Sequence, residues 1–469
     1  MGDIPLTAAW VAEAMAGTLA AGGRGVEFAG VSIDTRTLAA NELFFAIRGE
    51  HFDGTDFAEA AIERGATGVV VPRGRNRWSA KASAERPAVI EVDDTVVALQ
   101  SLANAIRRAS GAKVVAITGS AGKTTTKEVT AELLGARYHV VRNKGNFNNH
   151  IGLPLSLIEL RTRPDMAVVE LGMNHPGEIR TLVHVAEPEA RVWTNVGEAH
   201  VGFFGSMDAI ADAKAEILER ATSATVLVAN ADDRRISTRI AGFPGHVRTF
   251  GIERDADVRA SHVVDRGIDG TDAQVTTPHG AVALTTPLVG RGNLANVLAG
   301  ITVALEYGVP LPTIAEKVST LRPASHRGEV LRLANGVVVI DDSYNASPTA
   351  MRRALEVLAA TSARRRIAVL GEMLELGDSA AGLHADVGRA VAVAAVDALF
   401  AVGGAAAEAL ASAAIAAGLD RGRVRLFADS TEAGAAVADF VQSGDVVLVK
   451  GSRGIKTDRV VDRLRAERA

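Results

Sequence analysis

The sequence predicts a three-part α/β protein: a small N-terminal α/β unit, a central doubly wound parallel sheet built around a phosphate loop, and a second parallel α/β unit at the C-terminus. Three observations carry that expectation. Apolar runs of strand length recur with helical stretches between them, the alternation that a parallel sheet requires. Aromatic residues make up only 4% of the chain while Ala, Val, Leu and Gly predominate, which suits helices packed on a buried sheet better than an antiparallel sandwich. A chain of 469 residues exceeds one ordinary core, since domains run to about 100–200 residues.

The first unit is placed at residues 1–109, on short runs such as Leu43 to Ile47 and Gly68 to Val71 broken by Gly and Asp. A basic, small-residue stretch from Arg107 to Lys113 reads as the boundary before the apolar run Val114 to Ile117. The second unit, 110–322, shows strands at Met166 to Leu171, Arg191 to Val196 and Thr225 to Ala229. It then shows a hairpin, Ala273 to Thr277 and Ala281 to Thr285 about Pro278-His279-Gly280, and a helix with Leu294, Val297, Leu298, Ile301 and Leu305 on one face. Pro323 to Gly328 reads as a linker. The third unit, 323–469, alternates strands at Val337 to Ile340, Ile367 to Leu370, Leu399 to Val402 and Val446 to Val449 with Ala-rich helices.

Lys plus Arg number 51 against 55 Asp plus Glu, a net charge of −4, so no general attraction for nucleic acid or anionic lipid is expected. Cys is absent, which removes disulfides, thiolate metal sites and cysteine nucleophiles together. There is no basic-then-apolar leader and no apolar run long enough to span a bilayer, so a soluble cytoplasmic protein without membrane insertion is expected.

The strongest local signal is Thr118-Gly119-Ser120-Ala121-Gly122-Lys123-Thr124-Thr125, between the strand ending at Ile117 and a helix carrying Val129, Leu133 and Leu134. Glycines in such a turn free backbone N–H groups to face phosphate oxygens. Lys123 supplies charge toward the β and γ positions, and the Thr124 hydroxyl can ligate Mg²⁺. A nucleoside triphosphate site follows. Where the general eight-residue pattern has its first Gly, Ile117 stands, and the extra Gly falls at 119.

Glu170 and His200 lie at or just beyond strand carboxyl ends, where parallel sheets bind ligands. Taken singly, a strand-end Glu is more often a cap or a surface charge, and a loop His is often merely exposed. With Thr124 they offer hydroxyl, carboxylate and imidazole at successive strand ends, a set able to hold metal ions. Lys214 shares a helical face with Ile210, Ile217 and Leu218. Burial there would disfavour its charge and leave a reactive amine; snorkelling is the bland alternative.

The spacing of Gly119 to Thr125, Glu170, His200 and Lys214-Ala215-Glu216 resembles the Mur ligase family, which includes folylpolyglutamate synthases and cyanophycin synthetases. Within it, several stretches resemble the branch that adds D-alanyl-D-alanine. These are Val31 to Arg36, Arg48 to Gly54, Asn143 to Pro154, Gly290 to Asn296, His326 to Glu329, Asp342 to Met351 and Leu370 to Gly377. Gly292 stands where His is common, Ser343 and Ser347 where Ala and Asn are usual, and Glu372 where Asp is usual. No Asp-Asn-Pro-Arg run, the mark of the diaminopimelate-adding sibling, occurs.

The resemblance implies an N-terminal UDP-binding domain, a central ATP-binding domain and a C-terminal Rossmann-like domain. It implies ligation of D-alanyl-D-alanine to UDP-N-acetylmuramoyl-tripeptide, with ATP phosphorylating the tripeptide carboxylate first. Lys123, Glu170, His200 and Lys214 would form the catalytic set, with Thr124, Glu170, His200 and a CO2-derived carbamate on Lys214 holding two Mg²⁺ ions. Nucleotide contacts would come from Gly119, Ser120, Ala121, Gly122, Lys123, Thr124, Thr125, Asn293, Asn296, Arg327, Asp342, Tyr344 and Asn345. Ser32, Asp34, Thr35, Arg36, Asn146, Asn148 and Asn149 would meet the UDP-linked peptide. A monomer with a hinge near Ser325 is expected. The competing readings are a sibling ligase of the same fold and a nucleotide-dependent switch, although Asn143 to Asn146 lacks the closing Asp of a guanine-reading motif.

Overall fold

The structure, a computed structural model, describes residues 2–49, 51–75, 87–143, 145–334 and 336–468. The chain is mixed α/β and forms two compact units, one of residues 1–116, 138–173 and 177–189, the other of 117–137, 174–176 and 190–469.

The first unit contains a five-stranded sheet in the order Thr18–Ala21, Ala88–Val92, Gly68–Pro72, Leu43–Phe45 and Val31–Ser32. Its first pairing is antiparallel and the rest are parallel. Phe44, Ala58, Ala61, Val69 and Val71 pack together on one face, which is why Gly68 to Val71 reads as an unbroken apolar run. The helix Thr95–Ser110 begins at Asp94, whose side chain accepts from the Val96 and Val97 N–H groups, and ends at Gly111 in the left-handed region. The basic stretch from Arg107 to Lys113 thus begins inside this helix and continues past its end. Arg107 to Ser110 is the last turn of this helix, and its positive charge suits a helix C-terminus. Arg107 is buried, donating to the Ala186 carbonyl and pairing with Glu189 at 2.5 Å. In the same unit Met166–Glu170 pairs in parallel with Val140–Arg142.

The strand Lys113–Thr118 runs from the first unit into the second. There, Ala190–Trp193, Val226–Asn230, His246–Gly251 and Val258–Asp265 pair in parallel, followed by the antiparallel strands Thr271–Thr277 and Gly280–Thr286. The hairpin and the helix Gly290–Glu306 appear where the sequence places them. The strand expected over Arg191 to Val196 ends at Trp193 instead. Residues 194–196 leave the ladder because their polar groups bond the phosphate loop and Asp233.

A second sheet orders Glu329–Arg332, Val338–Asp341, Asp445–Lys450, Arg365–Gly371, Ala398–Val402 and Val424–Phe427. All pairings after the first are parallel. Leu370, Leu399 and Leu448 face one helical layer, and Val369, Phe400 and Val447 face the other. Burial on both faces explains the continuous apolar strands, each such side chain stabilising by ~1.5–3 kcal/mol.

Candidate active site

Within the second unit, the phosphate loop connects Lys113–Thr118 to the helix Lys123–Leu134. Gly122 has φ +81°, and a Cβ there would fall 2.3 Å from Asn296 Oδ1; at Gly119 it would fall 1.9 Å from Thr194 Oγ1. Both positions therefore demand glycine. The loop is braced from the next strand end. The Ala121 N–H donates to Asn195 Oδ1 at 2.9 Å, while Thr194 Oγ1 and Asn195 Nδ2 each donate to the Ala121 carbonyl at 2.9 Å. Lys123 Nζ donates to the Gly119 carbonyl at 2.9 Å, which holds the ammonium over the loop. The N-cap of Lys123–Leu134 is Gly122, which has no side chain to cap it, and the helix dipole there favours an anion. Thr124 occupies that turn, and Thr125 is buried behind it.

Lys214 lies on Met207–Ala215, whose N-cap Ser206 accepts from the Ala209 N–H at 3.1 Å. It is 2% exposed beside Ile210 and Ile217, both at 0%. Burial pushes its pKa well below 10.5, and the nearby positive charge of Lys123 pushes the same way. Arg191 fixes the turn Glu216–Leu218 that follows this helix by donating to the Ile217 and Glu219 carbonyls. His200 follows the Ala190–Trp193 strand in the left-handed region, with φ 66°.

Asn296 is buried in the helix Gly290–Glu306. Its Oδ1 accepts from Thr126 Oγ1 at 3.2 Å and its Nδ2 donates to Asn293 Oδ1 at 3.2 Å, so it buttresses the phosphate-loop helix. Asn293 Nδ2 donates to the Val289 carbonyl. At Gly292 the space a side chain would take is filled by Arg353, whose Cδ would lie 3.0 Å from an added Cβ. Arg327 stacks on the Tyr344 ring, 4.1 Å from its centroid, and Tyr344 N–H donates to the His326 carbonyl. Asp342 and Asn345 are held by Lys450, whose Nζ reaches Asp342 Oδ2 at 2.6 Å and the Asn345 carbonyl at 2.9 Å.

In the first unit, Glu170 is 2% exposed at the end of its strand. Its N–H donates to Asn143 Oδ1 at 3.1 Å, and Asn148 Nδ2 donates to its carboxylate. The Asn149 side chain accepts from the Ile151 and Gly152 N–H groups, starting the helix Gly152–Ile158, and the Asn146 carbonyl accepts from the Asn148 N–H at 2.7 Å. Ser32 Oγ accepts from the Asp34 N–H, and Arg36 pairs with Asp34 at 2.6 Å. That Arg36 hydrogen bond brings Asp34 down to about 2. The Thr35 carbonyl accepts from Arg64. Glu50 and Lys144, within two of the stretches that carry the resemblance, lie outside the described residues.

Three family models match: the Mur ligase family catalytic domain over residues 27–114, the Mur ligase middle domain over 117–304, and the Mur ligase glutamate ligase domain over 326–453. The UDP-N-acetylmuramoyl-tripeptide--D-alanyl-D-alanine ligase of Bacillus subtilis is 34% identical over 440 residues, 93% of each chain. The chain belongs to the Mur ligase family. A crystal structure of MurF from Acinetobacter baumannii superposes with a TM-score of 0.89 at 30% identity, covering 99% of this chain and 100% of that one. MurF from Thermotoga maritima, solved in complex with ADP, gives 0.81 at 27% identity over 93% and 97%.

Several residues of this Mur ligase site were missed in the sequence. Asn195 shapes the phosphate loop; Glu198 binds Thr349 and Arg352; Glu375 faces His200; Lys450 holds the Asp342 segment. Lys450 alone had a readable signal, a lysine ending an apolar strand in Val446 to Lys450. Glu372 accepts from the Gly404 and Ala407 N–H groups at the start of Ala405–Ala416. That is a use for its longer side chain where Asp is usual. No helix among the described residues is long and apolar enough to cross a membrane.

Proposed function

We propose that the chain is a cytoplasmic ligase that uses ATP to join D-alanyl-D-alanine to UDP-N-acetylmuramoyl-tripeptide, giving UDP-N-acetylmuramoyl-pentapeptide, ADP and phosphate. The observation that carries this reading is the pairing of a built phosphate loop with a buried lysine, Lys214, close enough to Lys123 to feel its charge. The names of the relatives and the ADP bound to the Thermotoga maritima protein support the same substrates.

Residues 1–109 take the UDP end through Ser32, Asp34, Thr35 and Arg36, and Asn146, Asn148 and Asn149 order the peptide. Residues 110–322 bind ATP, with Gly119 to Thr125 around the phosphates and Asn293 and Asn296 on the adenine side. Residues 323–469 bring Arg327, Asp342, Tyr344 and Asn345 to the nucleotide. The tripeptide carboxylate attacks the γ-phosphorus, ADP leaves, and the amine of D-alanyl-D-alanine then displaces phosphate from the acyl carbon. Two anions must meet in the first step, so Lys123 and Arg327 offset charge while the attacking oxygen is held in line. Closure of the C-terminal part about Ser325 keeps the acyl phosphate from water.

A neutral Lys214 amine adds to CO2 and loses a proton, becoming a carbamate. Lys123 disfavours the protonated amine and attracts the carbamate anion, so its charge favours the modified form. The hydroxyl of Thr124, the imidazole of His200, the carboxylate of Glu170 and the carbamate oxygens are donors that suit Mg²⁺. Bound there, Mg²⁺ supplies further charge neutralisation between carboxylate and phosphate.

The test is phosphate release with UDP-tripeptides carrying either diaminopimelate or lysine, each with and without D-alanyl-D-alanine. Release that requires one tripeptide together with the dipeptide supports the reading; release with folate-type or other ligase substrates in their place refutes it. Lys123→Ala is expected to form no ATP-dependent product. Lys214→Ala is expected to be inactive and not rescued by added bicarbonate.

A further inference from the structure

The Ser120 hydroxyl of the phosphate loop donates to the Gly197 carbonyl at 3.0 Å and accepts the Gly197 N–H at 2.8 Å. The next residue, Glu198, turns its carboxylate onto the first turn of the helix Pro348–Ala360. Thr349 Oγ1 donates to Oε2 at 2.5 Å, and Arg352 Nη2 donates to Oε1 at 2.8 Å. Arg352 also donates to Thr349 Oγ1 at 3.2 Å, closing a ring of three side chains. Thr349 and Arg352 stand three residues apart and so share one helix face.

No side chain within its own segment caps Pro348–Ala360, so a carboxylate from outside finds both the helix dipole and two donors there. One carboxylate oxygen goes to each donor, a geometry that a rotated or withdrawn helix cannot keep.

We propose that Glu198, Thr349 and Arg352 form a clasp that ties the phosphate loop, through Ser120 and Gly197, to the C-terminal α/β part. Glu198 is thereby a positioning residue for turnover. The clasp rests on the ligase reading only for its kinetic readout. It sets how long the C-terminal part stays in register with the loop, and so it acts on kcat more than on ATP capture, which the loop and Gly290–Glu306 supply.

The experiment compares the full-length wild type with Glu198→Gln, Thr349→Val, Arg352→Met, Arg352→Lys and the double variant Glu198→Gln/Arg352→Met. Each removal is expected to lower kcat about five- to tenfold with KM for ATP changed less than about twofold, and Arg352→Lys to recover part of the loss. The double variant is expected to be no slower than the slower single one, since partners in one network are not additive. Hydrogen exchange without substrates is expected to quicken in both 118–125 and 347–352 when Glu198 is changed. Full kcat in Glu198→Gln, losses that multiply in the double variant, or unchanged exchange in both segments would overturn the clasp. If Glu198→Gln does not fold, Thr349→Val decides, and undiminished kcat there overturns it. A wild type that makes no pentapeptide counts against the ligase reading alone, because exchange still reports on the clasp.

Discussion

His200 and Glu375 face one another, with imidazole Nδ1 2.6 Å from carboxylate Oε2. The backbone reinforces the pairing, since the Gly202 N–H donates to the Glu375 carbonyl at 3.0 Å. The His200 contact holds the Glu375 pKa below the usual value against the opposing effect of burial. A carboxylate behind a metal-binding imidazole orients the ring and raises its basicity. On the proposed role of His200, Glu375→Ala is expected to raise the Mg²⁺ concentration for half-maximal turnover by at least about tenfold. A magnesium titration of initial rates checks this, and an unchanged midpoint would separate Glu375 from metal binding.

Gly202 and Gly377 meet backbone to backbone. A Cβ on Gly202 would lie 2.6 Å from the Gly377 nitrogen and 2.8 Å from the Glu375 carbonyl oxygen. Gly202→Ala must push these segments apart, and a loss of about 1–3 kcal/mol is expected from such overpacking. Urea unfolding measures it, and turnover is expected to fall further than in a variant of equal stability loss elsewhere.

Lys214 links stability to pH. Its amine is depressed well below 10.5 by burial, with Lys123 adding to the effect. Well above pH 10.5, folded and unfolded chains are both neutral at this position, and burial carries no proton-linked cost. As pH falls, the unfolded chain takes up a proton that the folded one does not, and stability declines by up to about 1.4 kcal/mol per pH unit until the folded lysine itself protonates. Unmodified wild type is therefore expected to gain stability relative to Lys214→Met as pH rises from 7 to 9. Denaturant midpoints of both proteins, in CO2-free buffer, test the sign. Bicarbonate at fixed pH is expected to stabilise the wild type and leave Lys214→Met unchanged.

Glu372 closes the N-terminus of Ala405–Ala416 by accepting the Gly404 N–H at 2.9 Å. Glu372→Ala is expected to cost about 0.5–2 kcal/mol, as loss of a helix cap does. Thermal unfolding followed by circular dichroism provides the measure. Equal melting temperatures would mean that the cap contributes nothing.

The phosphate loop was legible because its chemistry is local: strand, glycines, lysine and helix must follow in sequence, and Gly119 and Gly122 are each confined by a neighbour. Lys214 stood out by helical phase as a cation on an apolar face, a pattern that snorkelling also fits, and the fold buries it. Pairing across distant segments leaves no such trace. Glu198 and Arg352 are 154 residues apart, and nothing in either local pattern announces the other. His246–Gly251 and Val258–Asp265 escaped because they are partly exposed and carry too many polar residues to look like buried parallel strands. Asn149 shows the converse difficulty. In the loop it reads as a substrate contact, and in the fold its side chain also starts a helix, a duty any Asn before an apolar run can perform.

The most direct test of ligation through an acyl phosphate is to follow oxygen from the tripeptide. UDP-tripeptide labelled with ¹⁸O in its terminal carboxylate, incubated with enzyme, ATP and D-alanyl-D-alanine, is expected to pass one labelled oxygen to inorganic phosphate for each pentapeptide formed. Label appearing in AMP, or pentapeptide formed with unlabelled phosphate, would contradict the account.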